Sequence, residues 1–537
     1  MTSLGRASAL IGAGTMISRV TGLLRTIVLV LVLGAVGSQA ADAFDVANKL
    51  PNSIFNLISV GLLTAVIVPQ IVAAARHDDK GSAFISKLFT LGTVVLIVAT
   101  GIAAILTPWL VSVQLPKGGE QAALAIAFAY WCLPQIVFYG LYTVLGEVLN
   151  ARSVFGPFTW APVLNNVIAI SGIVVFIVLF GADPEGLMPV TGWTPGMIAL
   201  LGGSATLGIV AQALILFVSW RKAGIRFRPD FAWRGVGLGR TAKLATWTLA
   251  MVVVMQLGGL LTNKIVSIGS GFGPSTSAMQ NVWLIFMMPH SVIAVSLATA
   301  YFTRLSQWGQ SGRMTEFRED LSASVRQIAL VMVYASVAVF AAAPFVSRII
   351  NFRATDAQVD MFSDALMAYA VSLAAYSFLF VIQRAFYALS DTRTPFIFTT
   401  VQMAIVLALA VALPFVVEKR WIGFGFAVIW SFATLVETVL AVWLLRRKIG
   451  SFDGHRILQS VVKFVLAAIP SLVIGLLVTW LLRAAAGNDN AFIAVGFSAA
   501  VAGVTAAVYF VGLRLLRSSE TADIVSTVSR KLGRNRS

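Results

Sequence analysis

Two arginines, Arg19 and Arg25, stand in the stretch "SRVTGLLRT", flanked by "ALIGAGTMI" and "IVLVLVLGA". A guanidinium is a planar fork of donors that suits a phosphate or a carboxylate. Holding one near the centre of a bilayer costs roughly 2.5–3.5 kcal/mol on insertion scales. Two arrangements offset that cost. Either each arginine pairs with a carboxylate in the bundle, with Asp42, Asp45, Glu147 and Glu437 as candidates, or both face a water-filled cavity that receives an anionic substrate. Their six-residue spacing sets the side chains about 120° apart on an ideal helix. Gly22, between them, allows close packing or a bend.

The segment "ADAFDVANKLPN" adds Asp42, Asp45, Asn48, Lys49 and Asn52. Asp42, Asp45 and Lys49 follow i, i+3, i+7 spacing and share a helix face. Pro51 removes a backbone donor and predicts a kink. Lys264, in "GGLLTNKIVSIG", either lines a cavity or reaches for the membrane surface. Glu147, Asn150 and Arg152 form one group at a helix end, and Gln383, Arg384, Asp391 and Arg393 another. Each group reads as inner-gate contacts or as ordinary capping and loop charge.

The rest of the sequence narrows the class of chemistry. His77, His290 and His455 are scattered, and the one cysteine, Cys132, lies in an apolar run, so neither a metal site nor a disulfide is expected. No Ser-His-Asp or paired-carboxylate set is convincing, and there is no phosphate-binding GxxxxGK[ST] loop. The expectation is a protein that is not an enzyme and uses no cofactor, driven by an ion gradient, the membrane potential or the substrate's own gradient.

The elements that must position these residues are membrane helices. Of 537 residues, 58% are hydrophobic and 11% charged, against about 25% charged in soluble domains. Apolar runs predict fourteen spans, at 8–35, 45–75, 83–113, 121–151, 157–183, 195–220, 240–268, 276–305, 318–350, 360–389, 394–417, 421–446, 457–483 and 490–516. The first segment has no cleavage signature and reads as a span. The net charge of +17 sits in alternate loops. The loop from Trp220 to Lys243 is the richest, and Arg304, Arg313 and Arg318, then Arg393, then Arg446, Arg447 and Lys448 continue the pattern. By the positive-inside rule both termini are cytoplasmic, and nucleic acid is not the expected partner.

Two landmarks repeat at one spacing. Pro51 and Pro289 are 238 residues apart, as are Pro157-Phe158 and Pro395-Phe396. The expected fold is therefore an all-α polytopic membrane protein of two six-helix lobes in a parallel pseudo-twofold repeat, with two further helices. Its divisions are a first lobe at 1–222, a second at 223–448, the two additional helices at 449–517 and a basic cytoplasmic tail at 518–537. The substrate site is expected between the lobes, with alternating access by rocking.

The stretches "SRVTGLLRT", "ADAFDVANKLPN", "LNARSVFGPFTWAPVLNN" and "FYALSDTRTPF" together resemble the MurJ (MviN) family of lipid II flippases, within the multidrug/oligosaccharidyl-lipid/polysaccharide exporter superfamily. The resemblance runs through the first twelve helices. It implies a substrate, undecaprenyl-pyrophosphate-linked disaccharide-pentapeptide, moved from the inner to the outer leaflet of a bacterial plasma membrane. It also implies a cationic cavity for the diphosphate. By motif position, Arg19 and Arg25 match the family's two arginines of helix one, Asp42 its acidic residue at the head of helix two, and Lys49 the base before Pro-Asn. The last two helices would form a groove for the polyprenyl tail. Two departures stand out. No arginine follows Pro-Asn in "PNSIFN", and "VWLIFMMP" is wholly apolar where many members carry Arg and Glu.

The expected substrate-binding residues are thus Arg19, Arg25, Lys49, Asn52 and Lys264. Asp42, Glu147 and Arg384 are expected in gating or charge pairing, with Asp42 opposite a cation. Expected partners are the lipid-linked glycan, membrane lipids and cell-wall synthesis proteins. The rival readings are a flippase for another polyprenyl-linked polysaccharide, a cation-coupled exporter, and a non-transporting cell-wall scaffold. A cation exporter would favour intramembrane acids, whereas the first lobe favours bases.

Overall fold

The structure is a computed structural model. It describes residues 3–59, 82–115, 119–151, 154, 156–222, 229–231, 238–486, 490–518 and 520. The elements are helices, with no strand among the described residues. In hydrocarbon every backbone polar group must be satisfied within the chain, and a helix does this within one segment. Chain order gives α1 (Ser3–Leu33), α2 (Gln39–Ile58), α3 (Ser82–Gln114), α4 (Glu120–Cys132), α5 (Gln135–Ala151), α6 (Gly156–Phe180), α7 (Pro195–Lys222) and α8 (Leu238–Val266). There follow α9 (Thr276–Pro289), α10 (Val295–Gln310), α11 (Met314–Ile350), α12 (Asp356–Ala370), α13 (Leu373–Ala388), α14 (Arg393–Val416), α15 (Ile422–Ile449), α16 (Gly454–Ala486) and α17 (Ala491–Leu515).

Twelve helical segments among the described residues are long and apolar enough to cross a membrane. The pair α12 and α13, bent by 42°, makes a thirteenth. The expected span at 45–75 begins in α2 and continues into 60–81, outside the described residues. The chain is a multi-pass membrane protein. Side chains such as Ile105, Phe415 and Phe492 are at least 80% exposed, which only an apolar solvent tolerates in such numbers.

Three predicted single spans are interrupted, two of them at prolines. The span 121–151 divides at Leu133-Pro134 into α4 and α5, since proline cannot donate to the preceding turn. The span 276–305 carries a π-turn at His290–Ala294, directly after Pro289. The span 360–389 bends between Ala370 and Leu373. Pro157 and Pro395 sit in the first turns of α6 and α14, where a missing N–H costs nothing.

By packing, the chain forms two compact units. The first is Met1–Gly271 with Ser275–Ser277, and the second Phe272–Pro274 with Ala278–Ser537. This division differs from the repeat boundary expected at 222–223, because α8 packs on α2 and α3. The first unit is centred on Phe44, Phe128, Phe176 and Trp193, whose rings meet at 5.2–5.6 Å. The second is built around α11, on which α16 and α17 both pack. Tyr509 donates to the Leu330 carbonyl at 2.9 Å and Thr479 to that of Ala341 at 2.8 Å.

Candidate anion-binding site

In the first unit, α1 is fixed against α6 by Asn166. Its Nδ2 donates to the Ser18 carbonyl at 3.1 Å and to Thr21 Oγ1 at 3.0 Å. The closest backbone approach is at Gly14, where a Cβ would lie 2.8 Å from Thr159 Cγ2. At Gly22 it would meet Asn166 Nδ2 at an ordinary 3.6 Å. Close packing or a bend was expected at Gly22; the tight contact lies a little over two helical turns earlier.

Arg19 is half-buried and has an interaction partner. Arg25 is also half-buried, and among the described residues no carboxylate lies within ion-pair distance of it. The groups it senses electrostatically are the Tyr139 phenol and the Cys132 thiol. These belong to a polar set at the α4–α5 break. Gln135 is fully buried, and its Nε2 donates to Asn48 Oδ1 at 3.3 Å and Thr206 Oγ1 at 3.0 Å. Tyr139 donates to Gln135 Oε1 at 3.4 Å, and Cys132 Sγ lies 3.9 Å from Asn48 Oδ1. Arg25 of α1 thus lies within electrostatic range of a polar set drawn from α2, α4, α5 and α7.

On α2, Lys49 Nζ lies 2.6 Å from Asp45 Oδ2, an i, i+4 pair. Its charge is therefore already matched within the helix. Asp42 departs from expectation. It is fully buried, and no cation reaches it among the described residues. It accepts instead from Ser270 Oγ at 2.5 Å, from Ser275 Oγ, and from the Ser277 N–H at 2.9 Å. The Ser277 amide is in the first turn of α9, where backbone donors lack intrahelical partners and a negative group is favoured. Three neutral donors do what a cation was expected to do.

The remaining expected residues are not part of this hydrogen-bonded set. Lys264 is half-buried in the last turn of α8, and no carboxylate is within ion-pair distance of it among the described residues. Its neighbour Asn263 donates to Gln114 Oε1 at 3.3 Å. Asn52 is exposed on α2, and Glu147 is half-buried on α5. Arg384 belongs to the second unit, with its guanidinium 5.0 Å from the Phe380 ring centre and 5.1 Å from that of Phe302. Glu437, another candidate partner, accepts from Thr399 Oγ1 at 3.2 Å. Arg152, His77, the stretch from 223 to 228, the tail beyond 520 and the side chains of Asn150, Arg221 and Lys222 lie outside the described residues. Among the described residues no group of three His, Cys, Asp or Glu could hold a metal.

Sequence reasoning missed Gln135 and Tyr139. The available signal was an amide inside the apolar run "CLPQIVFYG", directly after a proline. Chemically, the set offers one uncompensated guanidinium beside neutral amide and hydroxyl groups. That combination receives a phosphate-bearing, multiply hydrogen-bonding ligand better than a cation.

The arrangement of helices is that of a multi-pass membrane fold. A solved structure of lipid II flippase MurJ in an inward closed conformation superposes with a TM-score of 0.69 at 18% identity, covering 94% of this chain and 99% of that one. An inward-facing MATE family multidrug resistance transporter of the MOP superfamily gives 0.63 at 14% identity, over 83% and 99%. The family model described as Lipid II flippase MurJ matches residues 30–496, and the chain belongs to that family. It is 27% identical to the probable lipid II flippase MurJ of Haemophilus influenzae, over 85% of this chain and 89% of that one. It is 28% identical to the lipid II flippase MurJ of Burkholderia cenocepacia, over 73% and 75%. The family is one of transporters, not enzymes.

Proposed function

We propose that this chain moves lipid II from the inner to the outer leaflet of a bacterial plasma membrane, with both termini cytoplasmic. The observation that carries the reading is Arg25, a half-buried guanidinium inside a membrane helix with no carboxylate partner among the described residues. An unmatched charge there is costly. A diphosphate that visits it offsets the cost while bound, and the site regains its demand for an anion when the ligand leaves. Alternating access uses that cycle. Arg25 and Arg19 take the diphosphate, Lys264 adds charge, and Lys49 contributes when it separates from Asp45. Asn52, exposed on the same helix as Lys49, contacts the glycan end. Asp42 acts in gating by holding the start of α9, and Glu147 and Arg384 act in gating from their helix ends.

The test is binding and rescue together. Losing one bidentate charge-assisted contact costs about 1.5–3 kcal/mol. Arg25→Ala is therefore expected to weaken lipid II retention in native mass spectrometry about ten-fold or more, and to abolish rescue of a strain depleted of its own flippase. Normal growth on the correctly inserted variant would overturn the reading. The apolar "VWLIFMMP" and the absence of an arginine after Pro51-Asn52 favour a second reading. In it the substrate is another polyprenyl-linked glycan, which competition between lipid-linked glycans on the purified protein separates from lipid II.

A further inference from the structure

A second basic pocket lies within the second unit, where α10, α13 and α15 end and α11 begins. A cavity of about 610 Å³ is lined there by Gln310, Met314, Arg318, Ser390, Lys448 and Gly450, among others. Its size is in the range of small-ligand sites. The loop charges assign this end of the helices to the cytoplasmic surface.

Three helix C-termini converge on the cavity, and their carbonyls attract cations. The simplest role for Arg318 and Lys448 is therefore to cap those ends. Two of the ends need no such help. At the end of α10, Arg313 N–H donates to the Trp308 carbonyl at 3.0 Å and Gly312 N–H to that of Gly309 at 3.4 Å, with Gly312 at φ 71°. At the end of α13, Asp391 N–H donates to the Phe386 carbonyl and Ser390 N–H to that of Tyr387, both at 2.9 Å, with Ser390 at φ 57°. Both are Schellman turns that satisfy their own carbonyls.

The third end uses Arg318, whose Nη2 donates to the Ile449 carbonyl at 2.5 Å. That bond engages one of five donors. Arg318 Nε is buried without a partner, and no carboxylate is within ion-pair distance of the guanidinium among the described residues. The nearby acids are otherwise engaged. Glu316 pairs with Arg313, and Asp391 lies 2.5 Å from Lys448 Nζ. Burial pushes the Asp391 carboxyl up, but hydrogen bonds from Lys448 and Thr394 outweigh it and hold the group below the usual carboxylate range. Asp391 therefore stays ionised and cancels Lys448, leaving the Arg318 charge unmatched beside an open cavity. Arg446 and Arg447, in the last turn of α15, add to the positive field.

We propose that this pocket holds the phosphate of an anionic lipid headgroup, with Arg318 as the principal donor and Lys448 as the second. The cytoplasmic leaflet is rich in such lipids, and basic pockets between helices at that surface select them. The proposal is independent of the site around Arg25.

Native mass spectrometry of the full-length protein with phosphatidylglycerol, phosphatidylcholine and inorganic phosphate tests it. Wild type is expected to retain phosphatidylglycerol over phosphatidylcholine. Arg318→Gln is expected to lose about ten-fold of that retention, the equivalent of one charge-assisted contact. Arg318 also holds the end of α15, so two variants outside that role accompany it. Lys448→Gln removes the second donor, and Gln310→Glu places a repelling charge at the rim. Both are expected to reduce retention several-fold, whereas Arg25→Ala leaves it unchanged. Displacement of the lipid by inorganic phosphate supports the phosphate chemistry with a free anion as its source; resistance to displacement supports the lipid. Equal retention of the two lipids by wild type overturns the proposal. So does wild-type preference in both Lys448→Gln and Gln310→Glu.

Discussion

The two units treat charge in opposite ways. In the second, charges near helix ends are mostly matched by the protein itself. Arg326 meets Glu520 at 2.7 Å, Arg304 meets Asp320 at 2.5 Å, Arg483 meets Asp360 at 2.9 Å, and Arg348 pairs with Asp356. In the first, Arg25 and Lys264 are half-buried in membrane helices with no carboxylate in reach among the described residues. A matched pair joins two elements, and its removal leaves an orphaned partner. An unmatched charge joins nothing, so its removal relieves a desolvation cost. Stability and function should therefore respond in opposite senses to arginine removal in the two units.

The largest effect is expected at Arg25. Arg25→Ala should eliminate rescue while leaving the melting temperature of the purified protein equal to wild type or higher. Arg25→Lys keeps the charge but loses the fork, and should retain part of the binding. A large fall in melting temperature for Arg25→Ala would show that the protein does match this charge, and the contrast between the units would fail.

Next is the reverse case. Arg326→Ala leaves Glu520, 7% exposed, without its cation. Losing the charge-assisted bond to Glu520 is expected to cost about 1.5–3 kcal/mol, with lipid II binding unchanged. Arg326→Ala combined with Glu520→Ala should recover part of the loss, which a double-mutant cycle measures. A smaller effect of mixed kind is expected at Gln135. Gln135→Leu removes bonds to Asn48 and Thr206 and should cost about 1–2 kcal/mol. Because the same amide orders the polar set that Arg25 senses, lipid II affinity should also fall a few-fold. A stability loss with unchanged affinity would remove Gln135 from the site.

How much of this was legible in sequence depended on whether the signal was local. Apolar runs located the helices, and Pro134 and Pro289 marked breaks that a run-length reading passed over. Arg25 was legible because an arginine in an apolar run carries a known cost. The shared face of Asp45 and Lys49 was legible from spacing, but Lys49 was expected to bind substrate and its pairing with Asp45 was not read from it. The environment of Asp42 was not, since its donors lie more than 220 residues away and serines in an apolar sequence carry no charge to signal them. Gln135 left only a weak local signal, an amide directly after a proline in an apolar run. One amide among apolar residues gains meaning only when Asn48 and Thr206 arrive from other helices and Tyr139 closes over it from the next turn of its own. Gly22 shows the converse: of the two local options, close packing or a bend, the tight contact of α1 on α6 occurs at Gly14 instead.

The smallest expected effect concerns pH and sharpens the contrast through Glu520. Burial raises this carboxyl, but hydrogen bonds from Arg326, Ser460 and Ser518 prevail and hold it at about 2, against an ordinary 4.5. A depressed value in the folded state means that the unfolded chain binds the proton more readily. The clasp's contribution is therefore complete above pH 4.5 and is lost as pH falls towards 2. Screening at the membrane surface limits that contribution to about 1 kcal/mol. Melting curves of wild type and Glu520→Gln should diverge at neutral pH and converge through this acid window. If the two remained equally separated at all pH values, the carboxylate charge would not be what fastens α11 and α16 to the segment that follows α17.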